Sequence, residues 1–120
     1  MATIFIVDDS TTMRQMVNFT LTSAGHEVVE AMNVDEALKL APAKKFDLVI
    51  SDVNMPGRSG IELVRALRAL PSFKNTPILM LTTESQPEMR DAGREAGATG
   101  WIVKPFNPEG LMEMVNKVLP

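Results

Sequence analysis

The sequence predicts an α/β fold, a single doubly wound sheet of five parallel strands, and three observations carry that expectation. Apolar runs of strand length alternate five times with stretches of helical periodicity, the alternation that a parallel sheet with crossover helices requires. Three of the runs are solid apolar blocks, as expected of strands covered on both faces. The chain has 120 residues, 45% of them hydrophobic and 22% charged. That suits one domain able to bury roughly two thirds of its extended-state surface without disulfides or a structural metal.

The strand candidates are Ile4 to Val7, His26 to Glu30, Asp47 to Ser51, Pro77 to Leu81 and Thr99 to Val103. His26 to Glu30 mixes in charge and reads as an edge strand. A first helix is expected from Ser10 to Ser23, where Met13, Met16, Val17, Thr20, Leu21 and Ala24 recur at three- and four-residue spacing before Gly25. Asn33 with Glu36 three residues on is a capping-box pattern for a second helix that must end near Pro42. Ile61, Val64 and Leu67 mark a third, stopped by Pro71. A fourth, Gln86 to Ala96, is the weakest, with Gly93 inside and Gly97 at its end, and is expected to be the mobile element. The fifth opens with Asn107 as cap and Pro108 at its first position, and buries Leu111, Met114, Val115 and Val118. The nine methionines are expected mostly as core filler on these stripes.

Composition removes several function classes. There is no cysteine, hence no thiol catalysis, no Cys-ligated zinc and no disulfide framework. The longest bulky apolar runs, Ile4 to Val7 and Ile78 to Leu81, are far short of the ~20 residues that cross a bilayer, and the first stretch lacks the basic region of a signal peptide. A cytoplasmic protein without membrane contact is expected. Its net charge is −3 and its basic residues are scattered, which argues against nucleic acid as a partner.

In an open parallel sheet, ligands bind beyond the carboxyl ends of the strands. Those ends carry Asp8-Asp9, Asp52, Thr82-Thr83 and Lys104-Pro105. Each residue alone has a structural explanation: a helix cap, a turn opener, a solvated lysine. Independent caps, however, have no reason to gather three carboxylates, a hydroxyl and an ammonium on one rim. With the first and third strands adjacent, carboxylates about 5 Å apart repel by roughly 3 kcal/mol at an effective dielectric near 20, so the cluster calls for a cation. An all-oxygen donor set without His or Cys suits Mg²⁺. A carboxylate beside Mg²⁺, facing an ammonium and a hydroxyl, is what in-line phosphoryl transfer onto Asp52 needs.

With these residues the chain resembles the response-regulator receiver domain. The motifs are Val7-Asp8-Asp9, Asp52 with Met55-Pro56-Gly57 and Gly60, Leu81-Thr82, and Gly100-Trp101-Ile102-Val103-Lys104-Pro105-Phe106. The resemblance covers residues 1–120, leaving no output domain, and is nearest to the stand-alone, CheY-like chemotaxis regulators, whose strand order is 2-1-3-4-5. It implies Asp52 as phosphoacceptor, Asp8 and Asp9 as the metal-binding acids, and Asn54 as the donor of a backbone carbonyl to Mg²⁺. It implies Thr82 as switch hydroxyl, Trp101 as switch aromatic, and Lys104 as phosphate contact before a cis peptide to Pro105. Asn54 and Glu84 would tune dephosphorylation. The chain would be a monomeric signalling switch that catalyses its own phosphorylation and dephosphorylation. Its implied partners are a CheA-like histidine kinase and, downstream, a flagellar motor switch protein or a phosphatase. A phosphate sink or a relay intermediate is the alternative.

Three departures from the enteric pattern stand out. Trp101 replaces a tyrosine, Thr83 stands where many receivers have Ala or Gly and should narrow access to the phosphoryl group, and the fourth helix offers Glu88, Arg90 and Asp91 on the usual output face. Rival classes fit less well. A flavodoxin-type carrier needs a phosphate-cradling loop where Asp8-Asp9 would repel phosphate, and a haloacid-dehalogenase-type phosphatase needs Asp-x-Asp and usually a cap domain. An interaction module that has lost phosphorylation has no need of all five of Asp8, Asp9, Asp52, Thr82 and Lys104.

Overall fold

The structure is a computed structural model and describes residues 1–119, so that Pro120, the last residue of the expected domain, lies outside the described residues. Five strands, β1 (Thr3–Val7), β2 (Glu27–Ala31), β3 (Leu48–Ser51), β4 (Ile78–Thr82) and β5 (Gly100–Val103), alternate with α1 (Thr11–Ser23), α2 (Val34–Leu40), α3 (Gly60–Arg68), α4 (Pro87–Ala96) and α5 (Pro108–Val118). The sheet is parallel throughout, in the order β2-β1-β3-β4-β5. Alternate strand residues feed two cores. Ile4, Ile6, Leu48, Ile50, Leu79 and Leu81 pack against Val17 and Leu21 of α1 and Leu111 and Val115 of α5. On the other face, Phe5, Val7, Val49, Ile78 and Met80 meet Val34 and Ala37 of α2 and Leu63, Val64 and Leu67 of α3. This two-sided cover is why the central strands read as unbroken apolar blocks.

Register places the site. Val7 lies beside Ser51 and the amide of Asp52 donates to the carbonyl of Val7 at 2.9 Å, so Asp8 and Asp52 emerge side by side where the ladder ends. Thr82 pairs with Val103, and the amide of Lys104 donates to the carbonyl of Thr82 at 2.8 Å. The strand ends therefore converge on one rim.

The caps expected of Asn33 and Asn107 form, and Ser10, expected as the first residue of α1, is its cap. Ser10 accepts from the amide of Met13, Asn33 from Glu36, and Asn107 from Glu109 and Gly110. The capping box is displaced by one residue, since Glu36 reaches back to the amide of Met32 rather than that of Asn33. Pro42 and Pro71 fall in short 3₁₀ turns that follow α2 and α3.

Two expectations change. Of the methionines only Met80 is fully buried; Met1, Met16 and Met32 are exposed, and Met13, Met55, Met89, Met112 and Met114 flank the cores. Gly93, expected as a costly residue within α4, is also a packing site. It is buried, and a Cβ there would lie 2.7 Å from Cζ3 of Trp101, so the indole takes the space of the missing side chain. Gly97, in the left-handed region at φ 117°, ends the helix. Among the described residues no helix is long and apolar enough to cross a membrane.

Candidate functional site

Asp8 and Asp52 follow β1 and β3 directly and are 3% and 7% exposed, whereas Asp9 is exposed. One carboxylate oxygen from each of the three lies within 4.8 Å of the others. The Nζ of Lys104, carried beyond β5, donates to Oδ2 of Asp8 at 2.8 Å and to Oδ2 of Asp52 at 3.3 Å. The sheet thus brings the acids and the amine to the same rim, as the sequence predicts.

The remaining oxygens of the buried pair are turned inward. Oδ1 of Asp8 accepts from the amide of Ser10 at 2.9 Å, and Oδ1 of Asp52 accepts from the amides of Val53 at 2.7 Å and Asn54 at 3.4 Å. Each acid thereby directs one oxygen into its own loop and the other to the shared pocket. Burial lifts the pKa of Asp8 above its ordinary 3.8, against the lowering by the hydrogen bonds from Lys104 and Ser10. Burial alone would depress the lysine, but the hydrogen bond to Asp8 and the charge of Asp52 outweigh it and hold Lys104 above 10.5. The ammonium is therefore charged across the neutral range and occupies the place of a cation between two acids.

The donor chemistry fits Mg²⁺. Three carboxylates, oxygen donors only, lie close enough together to share one ion, the kind of partial shell that Mg²⁺ completes with water. Two are buried beside each other with one ammonium against three acids, and a further positive charge relieves that imbalance. This acidic triad is of the kind that holds Mg²⁺ in receiver domains.

The other expected residues surround the triad. Thr82, wholly buried at the end of β4, accepts from the amide of Glu84 at 3.1 Å. Thr83 is exposed on the rim and Asn54 is exposed beyond Asp52. Lys104-Pro105 is a cis peptide. Trp101, half-buried on β5, packs over Gly93 and donates its indole N–H to the carbonyl of Glu84 at 2.9 Å. Gly60 opens α3 hard against the end of β3, where a Cβ would overlap the carbonyl oxygen of Asp52.

Two arginine contacts, one at the site and one at the opposite end of the sheet, have no counterpart in the sequence reading. Arg14 donates to the main-chain carbonyl of Asp8 at 2.6 Å, and Arg68 donates to the carbonyls of Phe73, Thr76 and Gly97, tying α3 to the end of α4. Main-chain carbonyls offer no residue type to look for, and the arginines read as ordinary helix-surface charges.

The chain matches the model of the response regulator receiver domain over residues 4–116. It is 38% identical over 116 residues to the chemotaxis protein CheY of Pseudomonas aeruginosa, covering 96% of this chain and 94% of that one. It is also 39% identical over 117 residues to the phosphate regulon transcriptional regulatory protein PhoB of the same organism; there the match takes in 98% of this chain but spans only about half, 51%, of the relative. Among solved structures, Vibrio cholerae CheY4 superposes with a TM-score of 0.96 at 53% identity and 99% coverage of both chains. The Thermotoga maritima response regulator TrrA, solved with Mg²⁺ and BeF, gives 0.88 at 37% identity, covering 99% of this chain and 100% of that one. With a five-stranded 2-1-3-4-5 sheet and an acidic triad facing a lysine at its rim, the chain belongs to the response regulator receiver domain family, whose members are signalling switches rather than enzymes acting on a separate substrate.

Proposed function

We propose that this chain is a phospho-accepting switch in which a histidine kinase phosphorylates Asp52, with chemotaxis as its pathway. The observation that carries the reading is the contact of Lys104 with both Asp8 and Asp52 inside a triad completed by Asp9. Asp8, Asp9, Asp52 and the main-chain carbonyl of Asn54 would hold Mg²⁺. When bound, the ion neutralises charge on the phosphoryl oxygens.

Oδ2 of Asp52 faces the shared pocket while Oδ1 is held by two amides, so Oδ2 is the attacking oxygen. It forms a bond to phosphorus as the bond from phosphorus to the imidazole nitrogen of a phosphohistidine breaks, and the electron pair leaves with the imidazole. Lys104 gives up part of its contact with Asp52 to meet a phosphoryl oxygen. Thr82 meets another by turning its hydroxyl from Glu84. Shifting a two-state equilibrium from 1:99 to 99:1 takes about 5.5 kcal/mol, within reach of two or three charge-assisted hydrogen bonds at roughly 1.5–3 kcal/mol each. The response passes through Glu84 and Trp101 to the face of α4, β5 and α5.

Similarity to chemotaxis proteins over nearly the full length of each supports a CheA-like kinase as donor, a flagellar motor switch protein or phosphatase as partner, and a cytoplasmic setting. The test is a small phosphodonor with Mg²⁺, read by the fluorescence of Trp101, the single tryptophan. A change in the wild type that is absent in Asp52→Asn supports the assignment; equal responses in both would refute it.

A further inference from the structure

We propose that Arg14 is a positioning residue for the metal site, clamping the peptide that joins Asp8 to Asp9 and thereby setting the direction of Asp9. The inference rests on the Mg²⁺ reading above. Its starting point is a difference between the acids: Asp8 and Asp52 are buried and held by amides, but Asp9 is exposed. Among the described residues no hydrogen bond or ion pair holds the exposed Asp9 side chain, so its main chain must aim it at the triad.

That main chain is gripped from one side. Nη1 of Arg14 donates to the Asp8 carbonyl, the acceptor of the Asp8-Asp9 peptide, at 2.6 Å. Nε donates to Oε1 of Glu30 at 3.1 Å, and Nη2 to Oγ1 of Thr11 at 3.3 Å. Glu30 is held in turn by Nδ2 of Asn18 at 2.7 Å on its other oxygen. Glu30 lies on β2 beside Ile6 of β1, so the guanidinium joins α1, β2 and the end of β1 at one point. Its side chain is only 12% exposed, which partly shields the contacts with Asp8 and Glu30 from water. The planar fork matters, because a guanidinium can meet a carbonyl and a carboxylate at once while an ammonium is a point charge. Glu30 also cancels the arginine's charge, so the clamp adds no net cation beside a site meant for one.

A staple that only fixed α1 to the sheet would affect stability and leave metal binding alone. Partners that orient metal ligands typically change affinity by about 10- to 100-fold when removed. The experiment is calorimetric titration of Mg²⁺ into the full chain well below the thermal midpoint of each variant, with the midpoints measured separately. Arg14→Met is expected to raise the Mg²⁺ Kd about tenfold or more, Arg14→Lys to fall between it and the wild type, and Glu30→Gln to weaken binding in the same direction. Lys44→Met, which breaks the distant exposed pair with Glu27, should leave Kd unchanged. A folded Arg14→Met whose Kd stays within about twofold of wild type, below the usual range for such partners, overturns the proposal even if its midpoint falls. Should Arg14→Met not fold, an unchanged Kd in Glu30→Gln overturns it. Failure of the wild type to bind Mg²⁺ defeats the underlying reading and this one with it, and is distinguishable because it appears before any variant is compared.

Discussion

Trp101 and Glu84 are joined by a 2.9 Å hydrogen bond from the indole N–H to a main-chain carbonyl, and the amide of the same Glu84 donates to the hydroxyl of Thr82. A single residue of the β4–α4 loop is thus tied by its acceptor to β5 and by its donor to β4. Any turn of the Thr82 hydroxyl toward the pocket releases the Glu84 amide, and the loop can then move only if the Trp101 indole follows it or the bond between them breaks.

Thr82→Ala removes the hydroxyl while leaving the triad and Lys104 in place. Asp52 is expected to remain phosphorylatable, but the Trp101 fluorescence change should fall to a small fraction of the wild-type signal. Mass spectrometry for the bound phosphoryl group, run beside the fluorescence titration, checks both halves. A full fluorescence change in the phosphorylated variant would remove Thr82 from the coupling.

Gly93→Ala sets two opposed effects against each other. Alanine within a helix gains about 1 kcal/mol over glycine, but a Cβ 2.7 Å from Cζ3 of Trp101 must push the indole aside. Overpacking of this sort costs roughly 1–3 kcal/mol, so the net expectation is a modest loss in urea-unfolding stability. The Trp101 emission maximum should shift to the red as the ring becomes more exposed. Higher stability with unchanged emission would show that the indole does not rest on Gly93.

How far these features were legible varies with their physical origin. The central strands announced themselves because burial on both faces leaves only apolar residues, and Asn33 and Asn107 because a cap needs a short polar side chain at a chain reversal. The Asp8, Asp9, Asp52 and Lys104 cluster was legible because each follows a strand, and parallel strands end on a common rim. Gly93 was read only in part: propensity counts the backbone cost of a glycine and knows nothing of the indole from another strand. The exposed Met16 shows a similar limit, since an apolar residue at the right spacing can still sit on the margin of a stripe, and Met32 lies on no stripe but in the bend between β2 and α2. Ser59, the cap of α3, was passed over within a loop rich in candidates.

Lys104→Met tests the ammonium as a stand-in for a cation. It removes the partner of two buried carboxylates, and breaking a buried pair from one side typically costs about 3–5 kcal/mol. Protonation of an acid and water entering the open rim should soften that figure. The metal-free variant is expected to melt several degrees below wild type, and Mg²⁺ should raise its midpoint by more than it raises the wild type's. Phosphorylation should persist while the Trp101 response is lost. An Mg²⁺-induced rise no larger than in wild type would show that lysine and metal do not share the work of neutralising the acids.

Asp8 gives a pH dependence with a definite sign. Burial raises its pKa in the folded chain above the ordinary 3.8, so its contribution to stability is complete below that value and is lost as pH rises through the raised one. Mg²⁺ requires the ionised carboxylate and so binds more tightly over the same interval, returning what the buried charge removes. The midpoint difference between Mg²⁺-loaded and metal-free protein should therefore widen as pH rises from 3.8 toward neutrality. Other carboxylates titrate in this range, so the quantity to follow is the wild-type difference minus that of Asp8→Asn, which removes the group and keeps its shape. A subtracted curve that stays flat across the interval would mean that protonation of Asp8 and occupation of the site by Mg²⁺ do not compete.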